Sequence, residues 1–358
     1  IKTHTKRIDK MSMDAYEQNI KDELEGKKSP KRTNPEDERY NVDLSNYGIG
    51  DVQGKCLGDS LVNFDALEKL VLMENRLTHR CIPHILQNLS ARSVIHIDLS
   101  CNTVHGNINA NALAAYFKVP NAVKVLNLSK TGFQCQDIQK LCQGLGSQPY
   151  QPLEELILEH NKIGAVGAAA LSAYLCREMT LEIDKFCYRD KTVGKSITKL
   201  KSLNLAWNNV KEEGASLLAV AIRTSLFLKF LDLSANGIDD KGGQKLGSAI
   251  PFTESLETLI LQQNYIMSPA CFVFSRVLKA HVSMQVLDLS LNPVGEPGAR
   301  SLFRTILSGL RCFVMMRSCT FDEDANIFNH SNPSVDSPYE LDLSVPYDTS
   351  VTLALRNM

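Results

Sequence analysis

Apolar residues recur along most of this chain in one phrase. Two leucines flank a single residue, and an asparagine and then an isoleucine or valine follow, as in Leu231, Leu233, Asn236 and Ile238. Aligned on the asparagine, the copies stand at Tyr47, Asn75, Asn102, Thr131, Asn161, Asn208, Asn236, Asn264 and Asn292, and a degenerate tenth copy runs through Val314, Met316, Cys319 and Phe321. The steps between them are 28, 27, 29, 30, 47, 28, 28, 28 and 27 residues. Inside each phrase the leucines alternate with other residues, as in Leu203-Asn204-Leu205 and Leu287-Asp288-Leu289. That alternation is the period of a short strand with one buried face. Four residues after the isoleucine or valine stand Gly167, Gly214, Gly242 and Gly298, with Ala270 in the same place. Next come Leu171 and Leu175, Leu218 and Ile222, Leu246 and Ile250, Phe274 and Leu278, and Leu302 and Ile306, the stripe that a helix lays along one face. Each unit is predicted to be a strand followed by a helix.

A unit of this kind buries its two apolar rows only by stacking on its neighbours, so the repeats share one continuous core. Strands spaced ~4.8 Å apart beside helices ~10 Å wide force the stack to curve, with the strands inside. The phrase and its period near 28 residues resemble leucine-rich repeats of the ribonuclease-inhibitor type. The resemblance implies an α/β solenoid shaped as a horseshoe, with strands on the concave face and helices on the convex face. It also implies binding of other proteins through that curved surface. The asparagine column (Asn75, Asn102, Asn161, Asn208, Asn236, Asn264 and Asn292) reads as a structural ladder, its amides satisfying backbone groups where the chain leaves each strand. Thr131 is a partial substitute and Cys319 a weak donor, whereas Tyr47 cannot sit there in the same way. The glycine column reads as close approach of each helix start to the sheet.

Three segments depart from the period. The 47-residue step places about nineteen extra residues near 178–197, relative to a 28-residue repeat. The segment contains Thr180-Leu181-Glu182-Ile183-Asp184-Lys185-Phe186, read as a strand from the alternation at Leu181 and Ile183, and it is expected to protrude as a hairpin or loop on the edge opposite the asparagine turns. Residues 1–39 carry ten basic and nine acidic residues, with Met13, Tyr16, Ile20 and Leu24 at helical spacing ahead of a linker broken by Pro30 and Pro35. Residues 322–358 leave the repeat grammar and read as a C-terminal capping module after the solenoid of residues 40–321. Within that module, Asn332-Pro333, then Tyr339-Glu340-Leu341-Asp342-Leu343-Ser344 and Pro346-Tyr347-Asp348, are similar to segments that follow the repeats in large leucine-rich proteins of cilia and flagella. The chain starts at Ile1 and stops within an apolar stretch at Met358, so a longer protein is expected.

Composition narrows the partner without naming it. A net charge of −1 from 39 basic and 40 acidic residues gives no field that predicts nucleic-acid or membrane binding. Ten cysteines without a close-paired framework read as thiols of a reducing compartment, which points to the cytoplasm. Val193-Gly194-Lys195-Ser196 echoes the end of a phosphate loop, but Arg189 stands where the first glycine is needed. His79, Cys81, His84 and His105 lack ordered ligand spacing, and no nucleophile, paired-carboxylate or cofactor site can be argued. The chain therefore reads as a non-enzymatic scaffold without cofactor or metal, a subunit of a larger complex, and the C-terminal resemblance implies a place in an axoneme. Its partners are expected to be other proteins. The expected contact surface is formed by Val71, Met73, Asp98, Asn127, Ile157, Glu159, Asn204, Trp207, Asp232, Ile260, Gln262 and Asp288. A sensor or inhibitor using the same concavity is the alternative. A further one comes from resemblance to Ran GTPase-activating proteins, which are built of similar repeats and direct attention to Arg76.

Overall fold

The computed structural model describes residues 40–64, 66–91, 93–148, 150–176, 197–279, 283–308 and 312–319. The N-terminal extension, nearly all of the 178–197 insertion and the C-terminal module lie outside these residues. Ten strands form one parallel sheet: β1 (Tyr40–Asp43), β2 (Leu67–Val71), β3 (His96–Asp98), β4 (Val125–Asn127), β6 (Glu155–Ile157), β8 (Ser202–Asn204), β9 (Phe230–Asp232), β10 (Thr258–Ile260), β11 (Val286–Asp288) and β12 (Phe313–Met315). They pair in chain order, each with the strand of the next repeat. Two further strands, β5 (Tyr150–Gln151) and β7 (Ile197–Thr198), form a separate parallel pair that brackets the long insertion.

Nine helices alternate with these strands among the described residues: α1 (Asp51–Leu61), α2 (Ile82–Asn88), α3 (Asn107–Lys118), α4 (Cys135–Leu145), α5 (Gly164–Leu175), α6 (Lys211–Thr224), α7 (Asp240–Ala249), α8 (Ser268–Leu278) and α9 (Gly295–Leu307). Consecutive helices pack against one another, so strands and helices occupy opposite sides of a common core. The alternating leucines point into it: Leu203, Leu205, Leu231, Leu233, Leu259 and Leu261 are all fully buried. The predicted helix stripe meets them, with Leu171, Leu218, Leu246, Phe274 and Leu302 buried and only Ile306 left half-buried.

The ladder reading of asparagine is realised bond by bond. Asn264 donates from Nδ2 to the carbonyls of Leu233 and Leu261, both at 3.0 Å, while its Oδ1 accepts from the N–H groups of Asn236 and Ile238, both at 3.0 Å. One side chain thus stitches two repeats and satisfies backbone groups that the turn removes from the strand ladder. Thr131 takes the position with its hydroxyl 2.6 Å from the Leu128 carbonyl, and Cys319 with its thiol 3.2 Å from the Leu289 carbonyl. Tyr47 is 44% exposed, so the first repeat lacks a buried rung.

The small-residue column has a different cause from the expected approach of helix to sheet. A Cβ on Gly242 would lie 2.7 Å from Ile238 Cγ2 of its own repeat and 3.3 Å from the Cα of Glu212 in the preceding one. Gly214 meets Val210 Cγ1 at 2.5 Å and the Cα of Ala165 at 3.2 Å in the same way. Gly214 and Gly242 let their helix starts settle on the buried Val210 and Ile238 and on the helix start before.

Candidate protein-binding face

The outward positions of the strands form a continuous face, and its polar members are first committed to the fold. Asp98 and Asp232 each accept at Oδ1 from the backbone N–H (2.8 Å) and hydroxyl (2.6 Å) of the serine two residues on, Ser100 and Ser234. Asn127 does the same with Ser129, and Asn204 accepts from the Ala206 N–H at 2.9 Å. These side chains close the turn at the end of their own strands, as Asx turns do. Their second heteroatoms remain for other contacts, and Asn127 Nδ2 uses one to reach Asp98 Oδ2 at 2.9 Å.

Ten of the twelve residues expected to form the contact surface are accessible on this face or its rim. Met73, Asp98, Asn127, Ile157, Glu159, Asn204, Asp232, Ile260 and Gln262 are half-buried, and Trp207 is 45% exposed. Val71 and Asp288 are instead buried, at 7% and 9% exposure, so the expectation that they stand open to a partner is corrected. Alternation along a strand sets which face a side chain points to, not how far its neighbours cover it.

Carboxylates recur along the face, at Asp98, Glu159, Asp232 and Asp288. Burial raises the Asp232 carboxyl above the ordinary carboxylate range; hydrogen bonds from Ser234 oppose the rise, and the carboxylates of Glu159 and Asp288 add to it. Glu159 has a cationic neighbour when His160 is protonated, 3.4 Å away.

The rim holds a feature that sequence reasoning missed. The residue immediately before each ladder position adopts a left-handed backbone: Asn46, Glu74, Cys101, Lys130, His160, Trp207, Ala235, Gln263, Leu291 and Ser318 all have φ between 51° and 60°. This geometry puts their side chains in a row along the rim. The His160 imidazole stacks on the Trp207 indole there, with ring centroids 4.9 Å apart and planes inclined by 11°. Ala235, next in the row, has no side chain large enough to cover the other face of the indole. The result is an exposed, pre-ordered aromatic surface beside the Glu159 and Asp232 carboxylates, suited to apolar and cationic groups of a protein partner. The signal available in the sequence was the tryptophan alone, because nothing links His160 to it before the repeats are stacked.

The other candidate residues are dispersed. The imidazole of His84 lies 2.7 Å from Asp59, Cys81 is buried with its thiol pushed up to about 12 by burial, and His79 and His105 are exposed. Among the described residues no group of three or more histidine, cysteine, aspartate or glutamate side chains is arranged to hold a metal ion, and no helix is long and apolar enough to cross a membrane. Arg76 is exposed in the turn after Asn75.

Sequence comparisons with known proteins agree with this architecture. The family described as "Leucine Rich repeat" matches residues 151–172, 196–219, 224–247 and 280–303. Ribonuclease inhibitor from Mus musculus is 30% identical over 195 residues, covering 52% of this chain and 36% of the mouse protein. The chain thus spans about a third of the length of that curated relative. Among solved structures, a chain from the crystal structure of the Rad7 and Elc1 complex in yeast aligns over 60% of this chain and 47% of its own, with a TM-score of 0.41 and 17% identity, too loose a likeness to bear on function.

Proposed function

Because the chain is a leucine-rich repeat protein of the ribonuclease-inhibitor type, we propose that it is a non-enzymatic scaffold holding other proteins against its strand-lined face. The observation that carries this reading is the exposed Trp207–His160 stack on the rim of a face whose central positions mix Ile157 and Ile260 with Glu159 and Asp232. An exposed tryptophan flanked by apolar and carboxylate groups has the composition of a binding centre, where aromatic residues dominate the energy. A polyanion such as nucleic acid would meet repulsion from the same carboxylates.

The scaffold is further proposed to work inside the cell as a subunit of a larger assembly. Cysteines without a close-paired framework support the compartment, and the phrase from Asn332 to Asp348 supports a place in a cilium or flagellum. A sensor or inhibitor built on the same concavity is the second reading, favoured by the likeness to a protein named for inhibition. Activation of a GTPase through Arg76 is the third, supported by the resemblance of the repeats to those of Ran GTPase-activating proteins and by the exposure of that arginine.

The test is a pull-down with the intact chain from extracts of ciliated and non-ciliated cells, beside the Trp207→Ala and Asp232→Lys variants, with bound proteins identified by mass spectrometry. A defined set of axonemal proteins, captured from the ciliated extract and lost with either variant, is the expected result. Equal capture by both variants would remove the strand-lined face from the account. A small GTPase captured from both extracts would replace the scaffold reading and make Arg76 the next residue to change.

A further inference from the structure

At the edge where the strands begin, opposite the asparagine turns, positive charge and apolar side chains gather over the fourth to seventh repeats. One residue just ahead of each strand belongs to a backbone-bonded row: the carbonyl of Lys124 accepts from Glu154 at 2.8 Å, that of Glu154 from Lys201 at 2.7 Å, and that of Lys201 from Lys229 at 2.8 Å. Side chains follow the same row. The Lys201 ammonium lies 2.7 Å and that of Lys124 3.8 Å from the Glu154 carboxylate, while Lys229 is 2.6 Å from Glu257. The hydrogen bond from Lys201 holds the Glu154 carboxyl below its ordinary value against a burial penalty, and Lys124 and Lys199 add to that attraction. Three ammonium groups thus act on one carboxylate.

Beside this row the surface turns apolar. Leu226, Phe227 and Phe252 are 50%, 36% and 60% exposed, and the Arg223 guanidinium lies over the Phe252 ring at 4.4 Å. The loops that carry these side chains are tied by a hydrogen bond from Ser255 Oγ to the Ser225 carbonyl at 3.2 Å. None of these residues belongs to the strand-lined face.

We propose that this edge is a second docking surface, for an acidic polypeptide segment that carries apolar side chains among its carboxylates. The carboxylates meet Lys124, Lys199, Lys201 and Arg223, and the apolar side chains cover Leu226, Phe227 and Phe252. Charge complementarity sets the register and apolar burial holds it. A nucleic acid fits less well: Glu154, Glu254 and Glu257 interrupt the cations and would repel an unbroken row of phosphates, whereas a polypeptide can space its carboxylates between them.

The experiment uses the full chain and a fluorescently labelled synthetic peptide of glutamate, leucine and phenylalanine, read by anisotropy. A peptide with lysine in place of glutamate and a single-stranded oligonucleotide run beside it. The acidic peptide is expected to bind and to weaken about tenfold or more, both with Lys199→Glu plus Arg223→Glu and with Leu226→Ser plus Phe252→Ser, while Asp232→Lys leaves it unchanged. The altered side chains are exposed, and a urea curve establishes that each variant is folded; the two pairs are independent, so either one alone suffices. Absence of acidic-peptide binding, equal binding of the lysine peptide or the oligonucleotide, or indifference to both pairs of substitutions would overturn the proposal.

Discussion

The rungs at Asn236, Asn264 and Asn292 differ from the rung at Asn208, which follows the long step. In each of the first three, Oδ1 accepts two N–H groups of the preceding repeat, as when Asn236 takes those of Asn208 at 3.0 Å and Val210 at 3.2 Å. Asn208 keeps its donor half, with Nδ2 at 2.8 Å from the Leu158 carbonyl, but its fully buried Oδ1 finds no donor among the described residues. The turn before it is otherwise alike: Gly164, at φ +63°, sends its N–H to the Asn208 carbonyl at 2.9 Å, just as Lys211 does to the Asn236 carbonyl at 3.0 Å. Strand pairing is undisturbed, with Leu156 opposite Leu203 in the same register as every other pair. The long step thus leaves the strand register intact, and the rung that lacks its acceptor bonds stands beside the stacked Trp207.

That difference can be broken or sharpened by substitution. Asn264→Ala removes the acceptor of two N–H groups and the donor to three carbonyls and should cost about 3–4 kcal/mol in urea unfolding, against about 2 kcal/mol for Asn208→Ala. Equal losses would show that the Asn208 acceptor is satisfied after all. Gly214→Leu and Gly242→Leu, one on each side of the comparison, should each cost about 3 kcal/mol or more, because their contacts are equally tight. An unchanged unfolding curve for either would contradict the helix-start packing. Lys211 sits at φ +58° where the fifth and ninth repeats place Gly164 and Gly295, so Lys211→Gly should stabilise the fold by about 0.5–1 kcal/mol. A loss there would mean that the lysine side chain is held by contacts stronger than its strain.

The smallest effect is a pH dependence at Asp232. Its folded carboxyl binds its proton more tightly than an unfolded one, so stability falls as pH rises from 3.8 through the raised folded value. Asn204, in the equivalent place, shows that an amide can cap the same turn. Asp232→Asn should therefore match the parent in acid and exceed it by less than about 1 kcal/mol at neutral pH, the gain opening across the carboxylate range. A gain that is largest in acid would reverse the sign and remove the crowding of Glu159, Asp232 and Asp288.

The repeat phrase made much of this legible in advance. Asn264 could be read as a rung because a short amide beside a strand end has few tasks other than satisfying backbone, and Leu246 and Phe274 could be read as core from their spacing. The left-handed row could not be read, since Glu74, Lys130, His160, Trp207 and Leu291 share no side-chain property. Their conformation is imposed by the turn and by the neighbouring repeat. The β5–β7 pair joins residues on either side of the insertion, beyond the reach of a local pattern. Val71 and Asp288 hold outward places on their strands and are nonetheless buried, which alternation does not register.

Site-directed photocrosslinking in a cell extract puts the central claim to its most direct test, with benzoylphenylalanine at Ile260 on the strand-lined face and, separately, at Phe272 on the outer side of α8. A scaffold that holds proteins in its concavity gives discrete protein adducts from position 260, suppressed by Trp207→Ala, and none from position 272. Adducts from position 272 alone, or none from position 260 in extracts where the chain is captured by its partners, would contradict it.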